Sequence, residues 1–149
     1  MFDKFGEFDS AEELNMAAEG QFNEGDMTGL KALAKENGIP EELVEMYANG
    51  DIPYLCDAQL AAEGKMAVEM EEIRKNKKVD PDMAQEIADY MLSRADEEKV
   101  AADIRRKGKT IAGCIEDRRQ AASKKKKTNN MVCIAPAEGF RIVREYYES

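Results

Sequence analysis

"LKALAKENGIPEELVEMYANG", Leu30 to Gly50, is the stretch that decides the fold class. Leu30, Leu33 and Ala34 recur at helical spacing, and Asn37-Gly38 then stops the pattern. Pro40 fits the first turn of a new helix, in which Leu43, Val44 and Tyr47 share a face before Asn49-Gly50 stops it again. Both stops place a glycine where a chain leaving a helix turns left-handed. Two short amphipathic helices joined by a tight turn is therefore the local reading, and the same pattern extends in both directions.

Toward the N-terminus, Ser10 followed by Glu13 is a capping box, and Leu14, Ala17, Ala18 and Phe22 follow on one helical face to about Asn23. Asp26 can cap the helix that contains Leu30. Phe2, Phe5 and Phe8 recur every three residues and predict a short turn docked on the core. Toward the C-terminus, a fourth helix runs from about Tyr54 to Lys75, with Gly64 weakening its continuity. "RKNKKVDPD", residues 74–82, interrupts the pattern. Asp80-Pro81 then reads as cap and first position of a fifth helix carrying Met83, Ile87, Tyr90 and Met91. Asp96 is expected to cap a sixth helix with Val100, Ala101 and Ile104, ended by Gly108. Thr110 is expected to cap a seventh with Ile111, Cys114, Ile115 and Ala122. "SKKKKTNN" reads as a polar loop and Met131–Ile134 as a short extended piece. Pro136 opens a last helix with Phe140, Val143 and Tyr147 inward. The expectation is an all-α, irregular bundle of seven to eight short helices in two loosely separate halves. Residues 1–78 form an acidic helical region and residues 79–149 the second.

The 149 residues suffice for one domain or two small subdomains with a real core. No apolar run approaches the roughly 18 residues of a membrane span, and "MFDKFGEFDSAEEL" lacks the features of a signal peptide, so a cytoplasmic protein is expected. There is no His. Cys56, Cys114 and Cys133 lie far apart and predict reduced, buried thiols, with no metal and no cofactor. A Cys nucleophile would lack a His base. Acid–base chemistry with carboxylates alone has no distinguishable pair among 31 acidic residues, so the sequence points away from an enzyme. Gly108-Lys109-Thr110 looks like the end of a phosphate-binding loop, but Asp103 stands where that loop needs its first glycine.

Charge is segregated. Residues 1–72 hold 18 Asp and Glu against 4 Lys and Arg, within a chain of net charge -9. Glu41, Glu42 and Glu45 occupy the helix that a DNA-binding helix-turn-helix would send into the groove, where they would repel DNA. They suit a solvated face, or one that imitates nucleic acid before a cationic protein. The positive charge concentrates downstream, at Arg105, Arg106, Lys107, Lys109, Arg118, Arg119, Lys124, Lys125, Lys126 and Lys127, against only Glu116 and Asp117. Cations in the last turn of a helix favour its dipole by ~0.3–1 kcal/mol each. Asp103 and Lys107 have the spacing of an ion pair. The same residues could instead border a surface that meets phosphates or an acidic protein.

"VAADIRRKGKTIAGCI", Val100–Ile115, and the terminal "REYYES", Arg144–Ser149, resemble the PcfK-like family. Its members are small proteins of conjugative plasmids and integrative elements, some of them classed among inhibitors of the type II CRISPR nuclease. The resemblance implies a binding protein of mobile elements with no catalytic residues to carry over. It implies structural roles for Gly108, Gly113, Cys114, Tyr146 and Tyr147. Its expected partner is the RNA-guided nuclease or its guide-RNA complex. The cationic half would then anchor elsewhere or pair with a second copy; the alternatives are a conjugation accessory protein that holds nucleic acid through Arg105–Lys127 and, last, a carboxylate-only enzyme.

Overall fold

The structure, a computed structural model, describes residues 1–129 and 136–149, apart from the side chains of residues 122, 124–129 and 136–138. The described chain is all-helical: α1 (Ala11–Asn23), α2 (Met27–Glu36), α3 (Glu41–Ala48), α4 (Ala58–Asn76), α5 (Pro81–Leu92), α6 (Glu98–Arg105), α7 (Ile111–Asn129) and α8 (Pro136–Glu148). Most starts follow from side-chain caps, which satisfy amide groups that the first turn leaves free. Ser10 Oγ accepts from Glu13 N at 3.2 Å, Asp26 Oδ1 from Gly29 N at 2.7 Å and Asp57 Oδ1 from Leu60 N at 2.8 Å. Asp80 Oδ1 accepts from Asp82 N at 2.9 Å ahead of Pro81, and Thr110 Oγ1 from Gly113 N at 2.9 Å.

Three local expectations change. Asp96 does not cap α6: the capping position falls on Glu97, whose side chain makes no capping bond. Ser123–Asn129 is not a loop, because α7 continues through it to Asn129; the segment holds no Gly or Pro to stop a helix, and Lys has good intrinsic helix propensity. Helix α4 passes through Gly64 without a break. The glycine is there for clearance, since an added Cβ would collide with the carbonyl oxygen of Asn37, and one at Gly38 would collide with the backbone of Gly64. Gly38 also has φ of +70°, which only glycine adopts readily. The α2–α3 turn thus lies directly on α4. The extended piece foreseen at Met131–Ile134, and Cys133 within it, lie outside the described residues.

Two apolar cores result. The first gathers Leu14 and Ala18 of α1, Leu30 and Leu33 of α2, Val44 of α3, and Leu55, Cys56 and Ala61. Phe5 and Phe8 pack against it, as the triplet spacing predicts. The second gathers Met66, Met70 and Ile73 of α4, Ile87 and Met91 of α5, Ile104 of α6, Ile111, Cys114 and Ile115 of α7, and Val143 and Tyr147 of α8. The cores do not divide at residue 78. Helix α4 belongs to both, Ala61 facing one and Ala62 the other, and the polar turn at residues 74–82 reverses the chain inside the second. Residues 1–9, which form neither helix nor strand, run as a strap across the line where the cores meet.

Candidate functional site

Charge inside the molecule meets at that line. Arg105, on the last turn of α6, is 1% exposed. Its guanidinium donates to Asn37 Oδ1 at 2.6 Å, to the Phe8 carbonyl at 3.2 Å and to the Ala61 carbonyl at 3.4 Å, and lies 5.4 Å from the Phe2 ring centroid. One side chain thereby ties the strap, the α2–α3 turn, α4 and α6 together. Lys65 of α4 is 0% exposed; its ammonium donates to the Arg106 carbonyl at 2.7 Å and pairs with Glu7 of the strap at 3.2 Å. Burial pushes the Lys65 pKa down, while Glu69 and Glu7 oppose that shift.

Glu69, one helical turn beyond Lys65, is 3% exposed and accepts from Ile111 N at 2.9 Å through Oε1. Burial raises its pKa to about 7 despite that bond and the nearby Lys65. Its other oxygen and the hydroxyl of buried Tyr147 have no hydrogen-bond partner among the described residues. The Glu69 carboxylate therefore fills the anion position that the start of α7 creates. The resemblance of Gly108-Lys109-Thr110 to a phosphate loop ends here, because the Glu69 carboxyl already occupies that helix terminus.

The residues of the predicted basic patch differ in exposure and in partners. Arg105 is buried and bonded internally, so it does not belong to a surface patch. Arg106 closes the end of α8, donating to the carbonyl oxygens of Tyr147, Glu148 and Ser149 at 3.4, 3.3 and 2.7 Å. Asp103 pairs with Lys99 at 2.9 Å and lies 3.8 Å from Arg106, in place of the expected Lys107 partner. Lys109 is half-buried, its ammonium 2.7 Å from Ser149 Oγ and 4.8 Å from the Tyr146 ring centroid. Arg118 is half-buried beneath Gly139 of α8. Lys107 is exposed, and exposed Arg119 pairs with Glu116 at 3.2 Å. Lys124, Lys125, Lys126 and Lys127 lie on α7, with side chains outside the described residues.

The positions singled out through the family resemblance have packing roles. Gly108 has φ of +85° between α6 and α7. A Cβ at Gly113 would strike the Tyr146 hydroxyl, which itself accepts from Thr110 N at 3.0 Å. Cys114 is fully buried and burial pushes its thiol up to about 12, so it is not a thiolate at neutral pH. Tyr147 is fully buried and meets Tyr146 edge-on at 5.1 Å.

On the other side, Glu41, Glu42 and Glu45 all face solvent on α3, where Lys31 approaches Glu41 at 3.6 Å. Of the seven large apolar side chains most open to solvent among the described residues, six fall in the first 54 residues, Met16, Phe22, Met46 and Tyr54 among them. Among the described residues, no group of acidic and Cys side chains is placed to hold a metal ion, and no helix is long and apolar enough to cross a membrane. No family model matches the chain, and neither curated proteins nor solved structures yield a match.

Sequence reasoning missed Glu7, Asn37, Lys65 and Glu69. A signal existed for two of them. Ala62, Met66 and Ile73 define the inward stripe of α4, and Lys65 and Glu69 lie within it, four residues apart and of opposite sign. Charges inside an apolar stripe indicate a paired, buried group.

Proposed function

We propose that this chain works by binding a cationic macromolecular partner through the acidic face of α3, and that its partner is a type II RNA-guided nuclease that it inhibits. The observation that carries the reading is the solvent-facing row Glu41, Glu42 and Glu45, in a half with 18 acidic and 4 basic residues. Channels that hold guide RNA and DNA in such nucleases are positively charged, and an anionic helix face competes for them. The resemblance of Lys107–Ile115 and Arg144–Ser149 to PcfK-like proteins selects this partner class first. The chain then acts in the cytoplasm of a cell carrying the mobile element, by occupancy and without turnover.

The test mixes the purified protein with a panel of type II nucleases and follows co-elution and DNA cutting. Inhibition that is lost in the triple variant Glu41→Lys, Glu42→Lys, Glu45→Lys supports the reading, and inhibition untouched in that folded variant moves the contact elsewhere. The alternative of nucleic acid held through Arg105–Lys127 is weakened by the internal bonds of Arg105 and Arg106. Titration onto labelled DNA decides it, since phosphate binding weakens steeply with salt and no binding at low salt removes it.

A further inference from the structure

The strap and the seam beneath it are unequal. No residue from Met1 to Ser10 is fully buried, yet the two side chains the strap covers, Lys65 and Arg105, are 0% and 1% exposed. A segment that is itself half in solvent therefore completes the burial of two cations. Phe5 and Phe8 rest on the first core, and the rest of the attachment is polar, from side-chain carboxylates and one carbonyl. Glu7 meets the Lys65 ammonium and accepts from Gly108 N, each at 3.2 Å; Asp9 accepts from Lys107 N at 2.8 Å; the Phe8 carbonyl accepts from Arg105. In the other direction, Lys4 N and Phe5 N donate to Glu36 Oε1 at 3.1 and 3.2 Å.

Part of the seam's bonding does not come from the strap. Lys65 keeps the Arg106 carbonyl, and Arg105 keeps Asn37 and Ala61. With the strap open, Lys65, Arg105 and the Lys107 and Gly108 amides would lose the strap's acceptors, with Glu69 of α4 the acidic group left beside Lys65. Such a set recognises carboxylates on an extended peptide. The strap also begins under strain: Phe2 has φ of 55°, a left-handed conformation that is unfavourable for a non-glycine residue. Beside its first four residues lies an open cavity of about 480 Å³, bordered by Ala32, Lys35, Val68 and Lys75.

We propose that the seam formed by Lys65, Arg105 and the Lys107 and Gly108 amides is a receptor for an acidic, phenylalanine-bearing peptide segment, and that residues 1–9 are the intramolecular ligand that occupies it. The ligand pattern is set by the strap: an aromatic ring over Arg105, a carboxylate between Lys65 and Gly108, and a second carboxylate two residues on at Lys107. A segment of that chemistry on another protein competes with the strap and is admitted when the strap opens. The inference is independent of the partner assigned to α3.

Two measurements on the full-length chain test it. In hydrogen exchange on the wild-type protein, the amides of Lys4, Phe5, Lys107 and Gly108 should exchange through local opening about 100-fold faster than Met66 and Ile104 in the cores. Exchange as slow as the cores overturns the proposal, since the strap would leave only on global unfolding. In the second, a fluorescent peptide with the sequence MFDKFGEFDS is titrated onto wild type and onto Glu7→Gln/Asp9→Asn. Binding at least about tenfold tighter to the double variant, and weaker for a scrambled peptide, is the expected result. Equal binding to both proteins, or none to either, overturns it. Should the double variant unfold, Asp9→Asn alone, which alters an exposed carboxylate, provides the loosened strap.

Discussion

Helix α3 and the turn between α6 and α7 both concentrate charge of one sign, and the fold treats them in opposite ways. The carboxylates of α3 stand in solvent, with one cation near Glu41. The cations from Arg105 to Lys109 are turned inward or sideways and, Lys107 apart, bonded to carbonyls, an amide oxygen or a hydroxyl. At the start of α3, Glu41 and Glu42 lie in an uncapped first turn, where acidic side chains favour the helix dipole without being drawn inward. The α6–α7 turn lies where three helix ends and the strap leave carbonyl oxygens without partners, and arginine has donors enough to serve several at once. A run of like charge thus need not mark a surface where long cationic side chains can reach unpartnered carbonyl oxygens.

The largest effect that would break this contrast is at Arg105. Arg105→Met is expected to lower stability by about 3–5 kcal/mol, because it leaves Asn37, Phe8 and Ala61 oxygens facing a buried gap beside Lys65. Lys107→Met, two residues on and exposed, should stay within about 0.5 kcal/mol. Urea unfolding of the two variants reads the difference; equal effects would mean that the inward and outward cations are not distinct. Next comes Gly64→Ala, which forces the α2–α3 turn off α4 and pulls Asn37 from Arg105. A loss of about 1–3 kcal/mol is expected from that overpacking. An unchanged midpoint would show that the seam tolerates displacement of the turn.

Glu69 sharpens the comparison through pH. Its pKa rises from 4.5 unfolded to about 7 folded, so the native state holds a proton that the unfolded chain releases across that window. Its contribution is fully present below about pH 4.5 and is lost as pH rises through about 7. Lys65, Glu7, Arg105 and Tyr147 are the ionisable groups that face it. Between pH 8 and pH 5 the wild type should gain about 2–3 kcal/mol relative to Glu69→Gln, one pKa unit being worth about 1.4 kcal/mol. Thermal midpoints at the two pH values check it, and a constant gap between the proteins would refute it. The smallest effect belongs to α3: Glu45→Gln should change stability by less than about 0.5 kcal/mol, as an exposed carboxylate past the first turn.

Much of the fold could be read from residue chemistry alone, because helix starts and stops are local. Ser10, Asp26, Asp80 and Thr110 cap where their side chains can reach an amide two or three residues on. The failures came where two residues compete or where nothing ends a pattern. Asp96 lost to Glu97 by one position, and the lysine run after Ser123 carries no stop residue. The charged seam was less legible. Arg105 reads as a helix-terminal cation from its neighbours, and only contact with Phe8, 97 positions away in the chain, reveals its burial. No local pattern encodes a partner that distant.

Ala61 and Ala62, adjacent in sequence, wall two different compartments. A fragment ending near residue 78 would retain α4 with half its apolar side bare, and the remaining fragment would have to fold around the missing Met66 and Met70. Neither piece is a portable module, so exchange of halves between related chains would fail unless the helix and its two linings travelled together.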